Sequence, residues 1–202
     1  MDLEYIPSII SALGTLVAAW FAYNQYTKNK LTDLKIEQWK KTEEENNVKK
    51  SYYIAQIYGI LWETLHELKS DRVYIIQPHP LVNNMYLSVG LEVGRNGITK
   101  MNNVVKNLVM SDIASFSGAL STREFMVYSS VSKDMRDKRA RSVFLCNGAN
   151  SLVIKKMSND EHDWVGSLCA DYMDDEKINP DFAKGVLDKA ASEIQFILPE
   201  YK

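Results

Sequence analysis

The sequence predicts an α+β domain, in which a central antiparallel sheet is flanked by helices, behind a long N-terminal helix. Apolar residues recur at helical spacing early in the chain and near its end, whereas the runs between them alternate or are rich in β-branched residues. In order, these runs give a helix, two strands, a helix, three strands and a helix, which fits an antiparallel sheet covered by helices. Uneven charge divides the chain into three segments, residues 1–27, 28–50 and 51–202.

Composition places the chain among ordinary folded proteins. Of its 202 residues, 46% are hydrophobic and 25% are charged, which is enough apolar side chain to bury a core. The net charge of -2 argues against bulk nucleic-acid binding, so no nucleic-acid partner is expected. Cys146 and Cys169 are too few to indicate a disulfide-stapled secreted scaffold.

The first segment has the length and flanks of a transmembrane anchor. Residues 5–27 contain no charged side chain, and as a helix these 23 residues reach about 34 Å, enough to cross a hydrocarbon layer of about 30 Å. Lysines follow this stretch and none precedes it, so the positive-inside rule predicts one pass through the inner (plasma) membrane, with the N-terminus outside and the larger domain cytoplasmic. Membrane lipid is then an expected partner.

Two alternatives to the anchor are open. A cleaved signal peptide fits poorly, because Trp20, Phe21 and Tyr23 stand where small residues should precede the cleavage site. An ordinary buried helix is the second alternative. If the anchor holds, the small residues Ser11, Gly14, Ala18 and Ala22 lie close to one helical stripe, a pattern that lets membrane helices pack against each other. We therefore expect a homo-oligomer.

The second segment reads as a charged helical stalk. Residues 28–50 contain neither glycine nor proline, and opposite charges four residues apart, such as Glu37 with Lys41, support an exposed helix. The apolar stripe is only partial, which favours a solvated stalk over a buried helix or a robust coiled coil.

The elements of the third segment follow from periodicity and end signals. Apolar residues at helical spacing predict a helix that ends at Ser70, another over residues 98–110, and a last helix that begins with Asn179 as N-cap and stops at Pro199. Residues 111–138 are ambiguous and carry only a weak helical pattern. Alternating or β-rich runs predict strands over residues 72–77, 86–93, 142–146, 152–157 and 164–172.

Two short motifs give this segment a family resemblance. Asp71-Arg72-Val73 opens the first predicted strand, and Val165-Gly166-Ser167-Leu168 lies in the last. In this setting the chain from about Lys50 to Leu198 resembles the GAF family of small-molecule sensor domains. The resemblance implies a sheet with a ligand pocket or a dimer interface, and terminal helices that bundle with a partner. The chain departs from the family at Gln77-Pro78-His79-Pro80, which kinks the exit of the first strand, and it has no cysteine in a tetrapyrrole-attachment context.

Alternation and the resemblance together suggest candidate ligand-binding residues, which are aromatic or small polar residues on the predicted strands: Tyr74, Tyr86, Ser88 and Phe144. A dense basic run suggests a second candidate surface, for anionic lipid headgroups or an anionic ligand. Its residues are Lys133, Arg136, Lys138, Arg139 and Arg141. Asp134 and Asp137 dilute its charge, so a solvated connection is the plainer alternative.

No catalytic or metal-binding spacing is present in the sequence. Cysteines and histidines do not form Cys-x-x-Cys or His-x-x-x-His pairs, and there is no Walker loop, nucleophile elbow or dinucleotide fingerprint. We expect a protein that is not an enzyme and that needs neither cofactor nor metal.

Two functions from different classes remain. The first is a membrane-anchored, cytoplasm-facing sensor or scaffold that acts by binding a ligand or partner and by self-association. The alternative is a phage-type holin or lysis-control protein with a soluble regulatory domain. Loss of membrane potential on induced expression would favour the alternative, and ligand-dependent dimerisation with an intact potential would favour the sensor.

Overall fold

The computed structural model describes residues 6–80, 85–174 and 178–201, without the side chains of residues 6–19, 22, 29 and 31–34. It divides into two units, Met1–Lys50 and Ser51–Lys202. Helix α1, Ile6–Leu68, contains the helical part of the first unit and opens the second.

In the first unit, α1 includes all of residues 28–50, the segment in which the sequence predicts a stalk. The described side chains from Trp20 to Lys50 are mostly exposed, including Trp39. Within the described residues, no helix is long and apolar enough to cross a membrane. Most side chains of the predicted anchor, including Ser11, Gly14, Ala18 and Ala22, lie outside the described set, so the anchor stays a prediction.

The second unit is built on an antiparallel sheet, as predicted. In its described residues the sheet has six strands in the order β3-β2-β1-β6-β5-β4. The strands are β1 Arg72–His79, β2 Tyr86–Gly94, β3 Leu108–Val109, β4 Phe125–Tyr128, β5 Ser151–Ser158 and β6 Trp164–Tyr172. The remaining helices are α2 Ala114–Thr122, α3 Val131–Asp134, α4 Lys138–Cys146 and α5 Pro180–Ile194.

Four strands and the last helix confirm the sequence-based expectations. The predicted strands at residues 72–77, 86–93, 152–157 and 164–172 correspond to β1, β2, β5 and β6 within two residues at each end. Helix α5 begins as expected: the side chain of Asn179 accepts hydrogen bonds from the amides of Asp181 and Phe182. It ends at Ile194, earlier than predicted.

Two predicted elements are wrong, and each has an identifiable cause. Residues 142–146 form the end of α4, because Asp137 caps that helix by accepting from the Ala140 amide at 3.1 Å. Residues 98–110 do not form an α-helix. Glu92 on β2 accepts hydrogen bonds from the amides of Met101 and Asn102 at 2.6 and 3.0 Å, and holds this segment in a short 3-10 turn.

The two faces of the sheet carry separate hydrophobic cores. The first core packs α1 and α5 against β1, β5 and β6 through residues such as Leu61, Leu168 and Leu187. The second core lies beneath the irregular segments and short helices, and it includes Phe116, Met135, Phe144 and Ile154. Helices therefore cover one face of the sheet, and loops with short helices cover the other.

Lys155 on β5 forms ion pairs with two acidic residues from different parts of the chain. The ammonium group of Lys155 on β5 lies 3.5 Å from the carboxylate of Glu124, just before β4, and 2.9 Å from that of Asp188 on α5. The side chain of Lys155 therefore bridges Glu124, which lies between α2 and β4, and Asp188 on α5.

A buried ion pair joins the central strands. Arg72 on β1 and Asp171 on β6 are paired in register and almost wholly inaccessible to solvent. The guanidinium donates to both carboxylate oxygens at 2.6–3.1 Å and to the Thr99 carbonyl at 2.6 Å. Burial raises the pKa of Asp171 to about 6, against the opposing effect of Arg72. The hydrogen bonds from the guanidinium to both carboxylate oxygens favour the ionised carboxylate, and we treat the pair as a charged one.

Removing the guanidinium should strongly destabilise the fold. We expect Arg72→Ala to lower the free energy of unfolding by about 3–5 kcal/mol, because it leaves the Asp171 carboxylate buried without its counter-charge. Urea titration followed by the emission of the buried Trp164 measures this change. The control is Lys189→Ala, which breaks an ion pair of similar length with Glu63 on the exposed surface and should change little. Equal effects of the two substitutions would contradict the interpretation.

Gly166 tests the close approach of β6 to β1. A Cβ at this position would lie 3.0 Å from the Ile76 carbonyl oxygen, a backbone atom that cannot turn aside. We expect Gly166→Ala to destabilise the unit by about 1–3 kcal/mol through overpacking. Gly118→Ala in α2 should instead stabilise it by about 0.5–1 kcal/mol, because there a Cβ meets nothing within 4 Å. The same urea titration compares both, and changes of the same sign would refute the argument.

Candidate ligand-binding cleft

A cleft of about 340 Å³ opens at the β4 side of the second core. It lies between α2, β4 and the loop that joins α3 to α4, and its volume falls at the small end of the range for ligand pockets. Its lining residues are Ser115, Phe116, Ala119, Arg123, Val127, Tyr128 and residues 134–137.

The apolar wall of the cleft is the edge of the second core. Phe116 and Met135 line the cleft and are themselves buried, and the ring of Phe116 packs edge-on against Phe144 at 5.4 Å. Ala119 and Val127 extend this wall. Because these side chains are fixed by packing, the wall is preformed.

The two carboxylates of the cleft are bound to backbone amides. Asp137 accepts from the amides of Ala140 and Phe116, at 3.1 and 3.3 Å, through different oxygens. Asp134 accepts from the Ser130 amide at 2.8 Å. Both acids therefore hold the local backbone in place.

The basic and phenolic side chains of the cleft have fewer hydrogen bonds within the fold than its carboxylates have. Across the described residues, the guanidinium groups of Arg123 and Arg136 have no hydrogen bond or ion pair, although both side chains border the cleft. The hydroxyl of Tyr128 donates to the Met126 sulfur at 3.8 Å, a weak acceptor. Burial raises the pKa of Tyr128 and the nearby charge of Arg123 opposes that rise. The positive charge of Arg123 is thus felt at the phenol.

The structure does not bring the predicted ligand-binding residues together. Tyr74 and Phe144 are buried within the second core, and burial raises the pKa of Tyr74 well above its usual value. Phe144 also lies on α4 and not on a strand. Tyr86 and Ser88 lie on β2, in a different cluster. None of the four lines the cleft.

Tyr86 and Ser88 belong to a cluster centred on His79. The Nε2 atom of His79 lies 2.9 Å from the Ser88 hydroxyl, and the ring stacks on Tyr86 at 5.7 Å and on Tyr201 at 4.6 Å. The Gln77 side chain fixes the same C-terminal stretch by donating to the Pro199 carbonyl at 2.9 Å. We name residues 199–201 the C-terminal strap.

The basic run is dispersed by the fold, and only Arg136 reaches the cleft. Arg139 forms an ion pair with Asp112 at 2.7 Å, and Arg141 donates to the Ser132 carbonyl at 3.3 Å. Lys133 and Lys138 are exposed. In the described part of the chain, no cluster of three His, Cys, Asp or Glu side chains could hold a metal ion.

Sequence reasoning missed Arg123 and Tyr128. Both lie in residues 111–138, where helix and strand patterns were ambiguous. Strand β4 has only four residues, too few for alternation to be recognised. A single arginine at the end of a helix also carries no signal until its tertiary neighbours are known.

The contact between the C-terminal strap and His79 should affect the pKa of the His79 ring. Burial lowers the pKa of His79 below 6.5, so its contribution to stability is complete above that pH and is lost as the pH falls through the folded-state value. We expect Tyr201→Ala to uncover the ring and to raise its pKa towards 6.5. Histidine ring resonances followed by NMR across pH 4.5–8 would measure this on the full-length chain (roughly the range in which imidazole titrates). Tyr52→Ala removes an exposed tyrosine elsewhere and is the control. An unchanged His79 titration in Tyr201→Ala would show that the strap does not bury the ring.

Comparison with solved structures identifies the fold. GAF3 from Slr1393 of Synechocystis sp. PCC6803 matches with a TM-score of 0.58 and 14% identity, over 70% of this chain and 90% of that one. The PixJ GAF domain of Thermosynechococcus elongatus matches with a TM-score of 0.58 and 10% identity, over 74% and 88%. The domain JSC1_58120g3, solved with bound biliverdin, matches with a TM-score of 0.56 and 10% identity, over 74% and 97%.

Sequence comparisons add no further relative. No protein-family model matches the chain, and no curated protein matches it either. Identities of 10–14% establish the fold alone. The structural neighbours are GAF domains, and the sheet with its flanking helices has the GAF-like α+β architecture that the motifs in β1 and β6 suggested.

Proposed function

We propose that the second unit is a small-molecule sensor domain that binds its ligand in the cleft between α2, β4 and the α3–α4 loop. The observation that carries this proposal is the preformed cleft itself: an apolar wall faces basic and phenolic side chains that have few commitments within the fold. This combination of an apolar lining and a few polar groups is typical of ligand pockets. The biliverdin bound in the solved structure of JSC1_58120g3, which is similar to this chain, also supports small-molecule binding.

The cleft is better suited to binding than to catalysis. Its two carboxylates accept hydrogen bonds from backbone amides and hold the local backbone in place. Cys169, a possible nucleophile elsewhere in the second core, is fully buried, and burial raises its pKa well above the usual value. We therefore propose a sensor that is not an enzyme and that responds to occupancy alone.

The remaining expectations complete the proposal. Residues 5–27 anchor the chain in the inner membrane, with the sensor on the cytoplasmic side, and the small-residue stripe promotes self-association. The supporting observations are the uncharged stretch and the lysines that follow it. A scaffold that binds a protein partner would use the same anchor. No feature of the described residues favours the lysis-control alternative.

Ligand binding should be visible as thermal stabilisation of the full-length chain. A ligand at about 100 times its dissociation constant adds roughly 2.7 kcal/mol, which corresponds to roughly 5–10 °C in the melting temperature of a domain of this size. We would screen a chemically diverse panel of small molecules by this measurement, with native mass spectrometry to detect the retained compound.

A cleft-filling variant makes the test specific. Ala119→Trp should abolish the thermal shift and the retained mass, because the indole occupies the cleft. Ala55→Trp, at an exposed position of α1, is the matched control and should keep both. A ligand that binds Ala119→Trp as well as the unmodified chain would contradict this location. Failure of the whole panel to stabilise the unmodified chain would count against the sensor function.

A further inference from the structure

We propose that the ligand is an organic anion, with a carboxylate or phosphate group joined to an apolar body, and that Arg123 and Arg136 bind its acidic group. This inference rests on the proposed function and adds the chemical class of the ligand.

The first argument is the contrast among the arginines of the chain. Four of them have partners within the fold: Arg72, Arg95, Arg139 and Arg141. Over the described residues, the two whose guanidinium groups have no hydrogen bond or ion pair are Arg123 and Arg136, and these are the two that border the cleft. They come from separate elements, since Arg123 follows α2 and Arg136 lies between α3 and α4. A guanidinium fork is well suited to binding carboxylate or phosphate oxygens.

The second argument concerns the acids that could neutralise these arginines. Asp134 and Asp137 give the cleft a balanced formal charge, yet each carboxylate is bound to backbone amides. Asp137 uses both of its oxygens in this way and caps α4. Among the described residues, neither carboxylate forms an ion pair with Arg123 or Arg136, so both guanidinium groups remain available to an anion from solution.

The third argument is the rest of the lining. Phe116, Ala119, Val127 and Met135 give an apolar surface next to the arginines, which suits a ligand whose acidic group is attached to a hydrocarbon or aromatic body. The hydroxyl of Tyr128 has only a thioether as its acceptor, at 3.8 Å. An oxyanion is a much stronger acceptor and would accept a hydrogen bond from the Tyr128 hydroxyl in place of the thioether.

Naphthalene derivatives that share one apolar body and differ in charge distinguish the contribution of the acidic group to binding from that of the apolar body. The probes are 2-naphthoate and 2-naphthyl phosphate, with neutral 2-naphthamide and cationic 2-naphthylmethylamine as comparisons. Titration calorimetry on the full-length chain should show at least one anion binding roughly 10-fold or more tightly than the amide, the preference expected from charge-assisted hydrogen bonds. Arg123→Ala and Arg136→Ala should each weaken that anion by a similar factor.

The control variant removes the same charge close by. Arg139→Ala lies on α4 outside the cleft and should leave anion binding unchanged. Preferred binding of the amine, which would point to Asp134 and Asp137, or binding of all probes with equal affinity, would overturn the inference. If the amide binds in the cleft and neither anion does, the anion specificity fails while the sensor function stands. If no compound binds and the wider panel also fails, the sensor function fails as well.

A membrane-surface role for the basic residues would give a different pattern. Vesicles with about one-third anionic lipid would bind the chain, and Arg139→Ala would weaken that binding as much as Arg123→Ala, because diffuse attraction to a charged surface depends on charge and not on the cleft. That pattern, together with no binding of the naphthyl anions, would assign the arginines to lipid headgroups and overturn the proposal.

Discussion

The fold depends on the buried pair between Arg72 and Asp171. These residues lie opposite each other on the two central strands, and the guanidinium also reaches the Thr99 carbonyl in the segment that follows β2. The pair therefore joins the middle of the sheet to the irregular cover of its second face. A hydrophobic pair could pack the strands equally well, but it could not bind that carbonyl. The charged pair thus specifies the position of a segment that has little regular structure of its own.

The position of the cleft follows from how the second face is filled. Phe116, Met135 and Phe144 occupy the space between the short helices and the sheet, so the centre of this face is core. The cleft lies towards β4, where α2 ends and the α3–α4 loop passes. Asp134 and Asp137 hold the backbone there by accepting hydrogen bonds from amides. Among the described residues, the guanidinium groups of Arg123 and Arg136 at the rim have no hydrogen bond or ion pair.

Local chemistry explains which parts of this structure the sequence predicts. Local signals predict four of the strands, β1, β2, β5 and β6, because each follows from the pattern of its own side chains. They also predict the start of α5, because Asn179 caps the helix that directly follows it. The helix predicted over residues 98–110, after β2, is wrong because Glu92 on β2 accepts a hydrogen bond from the Met101 amide, a contact that the local pattern does not reveal. At the second face, too, tertiary packing decides: it buries Tyr74 and Phe144, and it brings Arg123 and Arg136 to one cleft.

The ammonium group of Lys155 links the rim of the cleft to α5. Glu124, the residue next to Arg123, is held by the same cation that binds Asp188 on α5. The side chain of Lys155 therefore connects the residue that follows Arg123 to α5, a helix on the opposite face of the sheet from the cleft.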